Sequence, residues 1–246
     1  MNLLLLEPGE IRNGQALIGG PRALHLLRVL QVRPGSVVRL GLVGDRQGKG
    51  EVLQVGEAEV RLQVTLGGPL PAPPLVELIL ALPRPIMLRR ILKQATVLGV
   101  RRLHLIRARR VEKSYFASPV LAADTIRALL LEAMAQAVDT WLPEVHIHRQ
   151  FKPFIEDVLP ELPGQGLVAH PGVAANLAGV FPSSSPVCPI RLAVGPEGGW
   201  SDYELAAFVE RGFSAFSMGS RILHVDTAVV ALLAQIALLV QLREKR

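Results

Sequence analysis

The 246-residue chain has little of what several protein classes require. Its single cysteine, Cys188, cannot form an intramolecular disulfide, as expected of a chain from a reducing compartment. The apolar run at residues 3–6 is too short, and lacks the basic flank, for a secretory signal. We therefore expect a cytoplasmic protein.

Long apolar runs are also scarce. The longest, residues 228–242, is interrupted by Gln235 and falls short of the roughly twenty residues that a membrane-spanning helix needs. We expect a buried helix here and no membrane partner. Because this helix is apolar on nearly every side, it would pack on its own domain and on a second subunit, which favours a homodimer.

The usual catalytic motifs are missing. The sequence has no Walker lysine motif, no G-x-G-x-x-G and no G-x-S-x-G, so it lacks the signals of nucleotide hydrolysis, dinucleotide binding and serine hydrolysis. The one close pair of potential metal ligands, His146 and His148, alternates along a predicted strand with no cysteine nearby. We expect no metal site.

Positive charge, in contrast, is concentrated. The formal net charge is +6, but residues 84–113 carry ten basic residues against one acid, Glu112, which leaves −3 for the rest of the chain. Such a concentration suits a polyanion, because each neutralised phosphate releases counterions. An ordinary solvated face is the alternative interpretation.

The pattern divides the chain near residue 70. Residues 1–68 predict strands with one short helix, the strands lying at 37–42, 50–55 and 59–65. In the last strand Val60, Leu62 and Val64 alternate with polar residues, which predicts that one face is buried. Residues 67–74 include four prolines within six positions, which disfavours helix and sheet and predicts a linker. We expect domains at 1–70 and 75–246.

Beyond the linker, apolar runs alternate with helical patterns, which predicts a parallel α/β sheet. The predicted strands are 75–82, 103–106, 145–147, 167–169, 190–194 and 213–216. One predicted helix has an apolar side at Leu88, Ile91, Leu92 and Ala95, with basic residues on the other. A second spans residues 126–137.

Two glycine-containing segments each follow a predicted strand. The first, residues 193–201, turns through Gly195, Gly198 and Gly199 into a helix that an S-x-x-E capping box begins and Gly212 ends. The second, residues 218–228, leads into the apolar C-terminal helix. Glycine turns at the carboxyl ends of parallel strands are where open α/β sheets bind ligands, although a tight turn with a helix cap would explain them as well.

Together these segments resemble the SPOUT superfamily of RNA methyltransferases, and within it the ribosomal RNA small subunit methyltransferase E family. The match is carried by G-P-E-G-G-[apolar]-S at 195–201, followed by [apolar]-G-x-R-[IV]-L-x-x-[ED]-T-A at 218–228. Weaker similarity covers nearly the whole chain, including residues 25–30, 98–100 and 170–171.

The resemblance implies an α/β fold with a SPOUT-type parallel sheet and a C-terminal trefoil knot, preceded by a small PUA-like β-barrel that binds RNA. It implies a homodimer that uses S-adenosylmethionine to methylate N3 of a uridine in 16S rRNA of the small ribosomal subunit. By the same similarity, the cofactor-binding residues would be Leu167, His170, Pro171, Gly195, Glu197, Gly198, Gly199, Met218, Gly219, Ile222 and Leu223.

Two residues are candidates for the chemistry. Arg221 would stabilise negative charge on the uracil as its N3–H ionises, and Asp226 would accept the proton or position another group. For RNA contact we expect basic residues of the concentrated segment together with one in the barrel. These are Arg28, Arg89, Arg90, Lys93, Arg107, Arg109 and Arg110.

The chain departs from the family pattern at several positions. His224, Val225 and Asp226 replace the usual arginine, threonine and glutamate, while Val97 and Asp139 replace a glutamate and an arginine. The lost arginines imply altered RNA contact. Two alternatives therefore stay open: methylation of another RNA position, and a non-catalytic RNA-binding or assembly protein on a degenerate fold.

Overall fold

The computed structural model describes residues 2–68, 70–71, 75–182 and 189–244. Cys188 and linker positions 69 and 72–74 lie outside the described residues, and the linker residues that are described belong to no helix or strand. The chain forms two compact units. The first unit is Met1–Pro73 with Leu131–Leu142, and the second unit is Pro74–Leu130 with Pro143–Arg246.

The first unit contains a six-stranded curled sheet, as the β-rich pattern predicts. Its strands are β1 (Leu4–Leu6), β2 (Ile11–Arg12), β3 (Gln15–Ile18), β4 (Val37–Leu42), β5 (Gln47–Val55) and β6 (Val60–Leu66), with one helix, α1 (Gly20–Arg28). The strand order is β1-β4-β5-β6-β3-β2, and only β1 and β4 pair in parallel. The alternation predicted for β6 is confirmed, because Val60 and Leu62 are fully buried while Arg61 is exposed.

The apolar run at the N-terminus is buried on both faces. Leu4 and Leu6 point into the core of the curled sheet. Leu3 and Leu5 point the other way and pack against Met134 and Ala135. Residues 131–142 therefore complete the first unit, and the sequence-based division gave no sign of it.

The second unit contains the predicted parallel sheet. Its strands are β7 (Val76–Ala81), β8 (Arg102–Ile106), β9 (Glu144–His148), β10 (Gln165–Ala169), β11 (Ile190–Val194) and β12 (Phe213–Phe216). The order is β12-β10-β11-β7-β8-β9, and every pair is parallel. The trefoil knot stays a prediction of the resemblance.

The helices that follow are α2 (Pro85–Val97), α3 (Ala123–Ala137), α4 (Phe151–Pro153), α5 (Leu177–Val180), α6 (Asp202–Glu210) and α7 (Val225–Glu244). In α2 the predicted apolar side is buried, whereas Arg89 and Arg90 are exposed. In α6 the predicted capping box is present at Ser201 and Glu204. Gly212 follows the helix with φ of 81°, a conformation that favours glycine.

The C-terminal helix is longer than its apolar run predicted. α7 has 20 residues, because it begins at Val225, ahead of the polar pair Asp226 and Thr227, and continues beyond Leu242. By length and composition alone the whole helix could cross a membrane, a test that core helices of soluble proteins also pass, so the expectation of no membrane partner stays a prediction. One side is buried in the second unit, including Val229, Leu232 and Ile236.

Candidate active site

Three neighbouring strands of the second unit end at one edge of the sheet. β10 lies between β11 and β12, and their last residues are Ala169, Val194 and Phe216. In a parallel sheet, the segments that follow such strands meet in space. The two glycine-containing bends, after β11 and after β12, therefore lie beside the bend that follows β10.

A pocket opens among these bends. Most of the predicted cofactor-binding residues line it, and so does the predicted catalytic Arg221. The predicted residues in the lining are His170, Pro171, Gly195, Glu197, Gly199, Met218, Gly219, Ile222 and Leu223. Leu167 does not line the pocket, because it is fully buried inside β10. Gly198 lies in the first bend but also outside the lining.

The first bend has little room for side chains. A Cβ atom on Gly195 would lie 3.2 Å from Nε1 of the buried Trp200, and Gly199 has φ of 72°. Beyond Trp200 the chain enters α6, where the side chain of Ser201 accepts a hydrogen bond from the backbone N–H of Glu204. Glycine thus brings the backbone to the pocket, and the helix cap fixes where the bend ends.

The pocket combines an apolar wall with an unpartnered polar atom. Val194, Ala228 and Leu232 supply apolar surface. Nδ1 of His170 is buried and has no hydrogen-bond partner among the described residues. Buried polar atoms are normally hydrogen-bonded, so a ligand group at this nitrogen would complete the site. The lining therefore suits a largely apolar ligand that also carries polar groups.

The two predicted catalytic residues have different surroundings. Arg221 is exposed and lines the pocket. Asp226 lies in the first turn of α7 outside the lining. Its Oδ1 accepts a hydrogen bond of 2.9 Å from the backbone N–H of Thr227, and its Oδ2 lies 3.7 Å from Nη1 of Arg90. The carboxylate therefore stabilises the N-terminus of α7 and pairs with a residue predicted to bind RNA.

The predicted RNA-binding residues fall into three places. Arg28 ends α1 in the first unit and is exposed. Arg89, Arg90 and Lys93 lie along α2, with Lys93 half-buried. Arg107, Arg109 and Arg110 follow β8. The last group adjoins the first bend, because the Arg110 guanidinium donates a hydrogen bond to the carbonyl of Gly198.

The first unit also has a polar groove that the sequence analysis did not single out. It crosses the outer face of β4, β5 and β6, where Arg39 and Lys49 are directly opposite each other in register. Neither side chain forms an ion pair with a described residue. Like charges placed opposite each other destabilise a sheet, but Glu51 also lines the groove, so the groove carries charges of both signs. The alternation of β4 and β5, which turns both residues outward, was the available signal.

The predicted strand histidines, exposed His146 and half-buried His148, pack against the buried His104. The ring of His104 stacks against those of both His146 and His148, and its Nδ1 lies 3.1 Å from Nε2 of His148. Burial, reinforced by the neighbouring histidines and Arg102, lowers the pKa of His104 to about 3. Burial raises the pKa of Glu77, whose Oε2 lies 4.0 Å from Nε2 of His104. Within the described residues, no group of three or more potential ligands is arranged to hold a metal.

Comparison with known proteins points to one family. Residues 71–237 match the family model described as an RNA methyltransferase domain. The ribosomal RNA small subunit methyltransferase E of Treponema pallidum is 27% identical over 94% of this chain and 88% of its own length. The protein of the same name from Synechocystis is 28% identical over 97% of this chain and 78% of its own.

Solved structures show the same fold. A ribosomal RNA small subunit methyltransferase E from Neisseria gonorrhoeae, bound to S-adenosylmethionine, superposes with a TM-score of 0.75. It is 20% identical, covering 96% of this chain and 98% of its own. A methyltransferase from Legionella pneumophila in complex with the same cofactor has a TM-score of 0.76 and is also 20% identical, over 97% and 98% of the two chains. The predicted α/β fold class is thereby confirmed.

Proposed function

Because the chain belongs to the family of RNA methyltransferase domains, we propose that it transfers a methyl group from S-adenosylmethionine to N3 of a uridine in 16S rRNA of the small ribosomal subunit. The observation that carries the proposal is the single pocket formed by the two glycine-containing bends, with Arg221 in its lining. The names of the two relatives favour a ribosomal substrate.

The pocket residues fit this cofactor. The apolar wall suits the adenine ring, and Nδ1 of His170 is a buried polar atom in need of a partner. His170, Gly195, Met218 and Leu223 would hold the cofactor. When bound, it supplies a methyl group that is already activated by the sulfonium. The chain then has to orient the attacking nitrogen and help its imide proton to leave.

Two residues of the chain would carry out these tasks. Arg221, exposed in the lining, places a guanidinium where negative charge develops on the uracil. Asp226 lies outside the lining and pairs with Arg90. This favours a positioning role for Asp226 over proton acceptance, because its carboxylate fixes an arginine of the proposed RNA-binding helix.

The proposed substrate also fits the distribution of charge. Arg89 and Arg109 are exposed in the second unit, and Arg28 in the first. Contacts from such residues to phosphates give affinity without sequence choice, so the target would be selected by RNA shape and by an extruded base. We further propose a cytoplasmic homodimer that uses no metal. The exposed Leu238 and Leu242 of α7 favour a second copy as its partner.

Nucleoside mass spectrometry of 16S rRNA tests the reaction. We expect 3-methyluridine to be lost from cells that lack the gene, restored by the wild-type chain and not restored by Arg221→Ala. Unchanged 3-methyluridine with loss of a different methylated nucleoside would instead support another RNA position. Unchanged methylation, together with no calorimetric binding of S-adenosylmethionine with or without RNA, would support the non-catalytic alternative.

A further inference from the structure

Glu204 makes contacts beyond those of a helix cap. Its side chain is almost fully buried, with 2% of the residue exposed. One oxygen, Oε2, accepts hydrogen bonds from the backbone N–H of Ser201 at 2.9 Å and from its hydroxyl at 2.8 Å. The other, Oε1, accepts a bond of 2.6 Å from the backbone N–H of Arg109, 95 positions earlier in the chain. The capping box uses only the first oxygen.

Arg110 makes a second contact between the same two segments. Its guanidinium donates a hydrogen bond to the carbonyl of Gly198, and its aliphatic stem lies against that glycine, where a Cβ atom would come within 3.0 Å of Cδ. A Cβ atom on Gly199 would lie 3.9 Å from Nη1 of Arg110 and 4.0 Å from Cε1 of His170. Arg110 is therefore adjacent to a residue that lines the pocket.

We define these two contacts, Arg109 to Glu204 and Arg110 to Gly198, as the clamp. It fixes the basic loop 107–110 to the bend that contributes Gly195, Glu197 and Gly199 to the pocket. Arg109 and Arg110 are nevertheless exposed, and a guanidinium has five N–H donors, so the bond to Gly198 leaves donors of Arg110 for a phosphate.

We infer that the clamp couples the cofactor pocket to RNA binding, with Glu204 as a positioning residue. The inference rests on the proposed function. A cofactor that orders the first bend also orders the basic loop 107–110. RNA phosphates then bind arginines whose positions are already fixed. Such coupling is reciprocal: cofactor and RNA each tighten the binding of the other by the same factor.

The coupling is measured as a ratio of two dissociation constants: the value without RNA divided by the value with RNA. The dissociation constant of S-adenosylhomocysteine, which cannot transfer a methyl group, is determined with and without saturating 16S rRNA from cells that lack the gene. For the wild-type protein we expect RNA to tighten binding by about 5-fold or more, the lower end of typical allosteric coupling. A ratio of one would overturn the inference.

Two variants break the clamp in different ways. Arg110→Ala removes an exposed side chain and its bond to Gly198. Glu204→Gln keeps the shape of the side chain, but its amide has only one acceptor oxygen, so either Ser201 or Arg109 loses its partner. Because Ser201 provides two donors, we expect the bond to Arg109 to be lost. In both variants the ratio should fall towards one.

Two matched controls separate coupling from folding and from charge. Ser201→Ala weakens the helix cap but keeps the bond between Arg109 and Glu204, so melting temperature should fall while the ratio persists. Arg89→Ala removes a positive charge of the proposed RNA surface outside the clamp, so RNA affinity should fall while the ratio persists.

The outcomes distinguish the two proposals. A wild-type protein that binds neither S-adenosylhomocysteine nor rRNA would refute the proposed function. Binding of both ligands, with the wild-type ratio retained in Arg110→Ala, would refute the clamp and leave the proposed function intact. If the ratio fell towards one in Arg89→Ala as far as in Arg110→Ala, the clamp would also be refuted. The loss of positive charge alone would then explain the lower ratio.

Discussion

Among the described residues, Arg221 is the one charged side chain of the second bend that lines the pocket. We expect Arg221→Ala to lower the single-turnover methylation rate by about 100-fold or more, because it removes a donor aimed at developing negative charge. Arg221→Lys should restore part of the rate, since it keeps the charge but not the planar fork. Rapid-quench assays with saturating RNA measure the rates.

The dissociation constant of S-adenosylmethionine serves as the control for this prediction. It should change little in Arg221→Ala, because the apolar wall and His170 are left in place. Wild-type turnover with intact cofactor binding would show that the arginine has no part in the chemistry.

The sequence predicted the segments that form the site more accurately than the individual residues that line it. The motifs after β11 and β12 identified both bends, since glycine and polar residues following an apolar run are visible in sequence. Leu167 was included although it lies inside β10, because the point at which a strand gives way to its loop depends on the sheet. Arg110 was assigned to RNA alone, because charge does not show that Gly198 is its neighbour.

Among the elements, strands β8 and β9 carry the cluster of His104, His146 and His148, which makes stability depend on pH. Burial lowers the pKa of both His104 and His148 in the folded chain. The unfolded chain therefore binds protons that the folded chain does not, and stability falls as pH drops below about 6.5, the buried His104 adding a slope of up to about 1.4 kcal/mol per pH unit. For His104 this loss continues towards pH 3.

Glu77 acts in the opposite direction. Its pKa is raised in the folded chain, so the folded chain takes up a proton on Glu77 at a higher pH than the unfolded chain does. For this group, stability therefore rises as pH falls through the raised pKa. Urea unfolding between pH 8 and 5 measures the net effect. His104→Leu should flatten the decline, and equal slopes in the wild-type protein and in His104→Leu would contradict the assignment.

Helix α2 presents the proposed RNA surface. Arg89 is exposed and forms no ion pair with a described residue, whereas Arg90 pairs with Asp226. We expect Arg89→Ala to weaken rRNA binding and to reduce the slope of log affinity against log salt by about 0.7 to 0.9, the loss of one phosphate contact. Filter binding from low to high salt measures the slope, with the exposed Arg33 as the control position. An unchanged slope for Arg89→Ala would remove α2 from the RNA surface.

Element prediction succeeded where periodicity was regular. The apolar face of α2 and the alternation of β6 predicted both elements, and the capping box predicted the start of α6. The strands β1, β2 and β3 were not delimited, because they have only two to four residues and offer too few positions for a period. Strand β5 begins three residues before the prediction, since Gln47, Gly48 and Lys49 are not apolar.

At the scale of the whole molecule, the proposed homodimer predicts a change in mass. Leu238 and Leu242 of α7 are each more than half exposed. Replacing both with glutamate should convert a dimer, twice the 26.7 kDa of the chain, into a monomer, because charged groups oppose burial in an apolar interface. Size-exclusion chromatography with light scattering measures the mass. Leu53→Glu, at an exposed site in the first unit, should leave the dimer intact, and a monomeric wild-type protein would contradict the proposal.

The change of pattern near residue 70 indicated two parts, but not that the first part takes in a later stretch of chain. Residues 131–137 continue the pattern of α3, and nothing in their periodicity shows that Met134 packs against Leu3. Long-range packing of this kind depends on tertiary contacts that local sequence does not carry.

That contact decides how the gene can be divided. A fragment that stops after the proline-rich stretch would leave Leu3 and Leu5 without the side chains that cover them, and such fragments tend to associate or to be degraded. An isolated first unit would need residues 131–142 grafted back through a designed loop. The parts of the chain before and after the proline-rich stretch therefore cannot be exchanged independently between relatives.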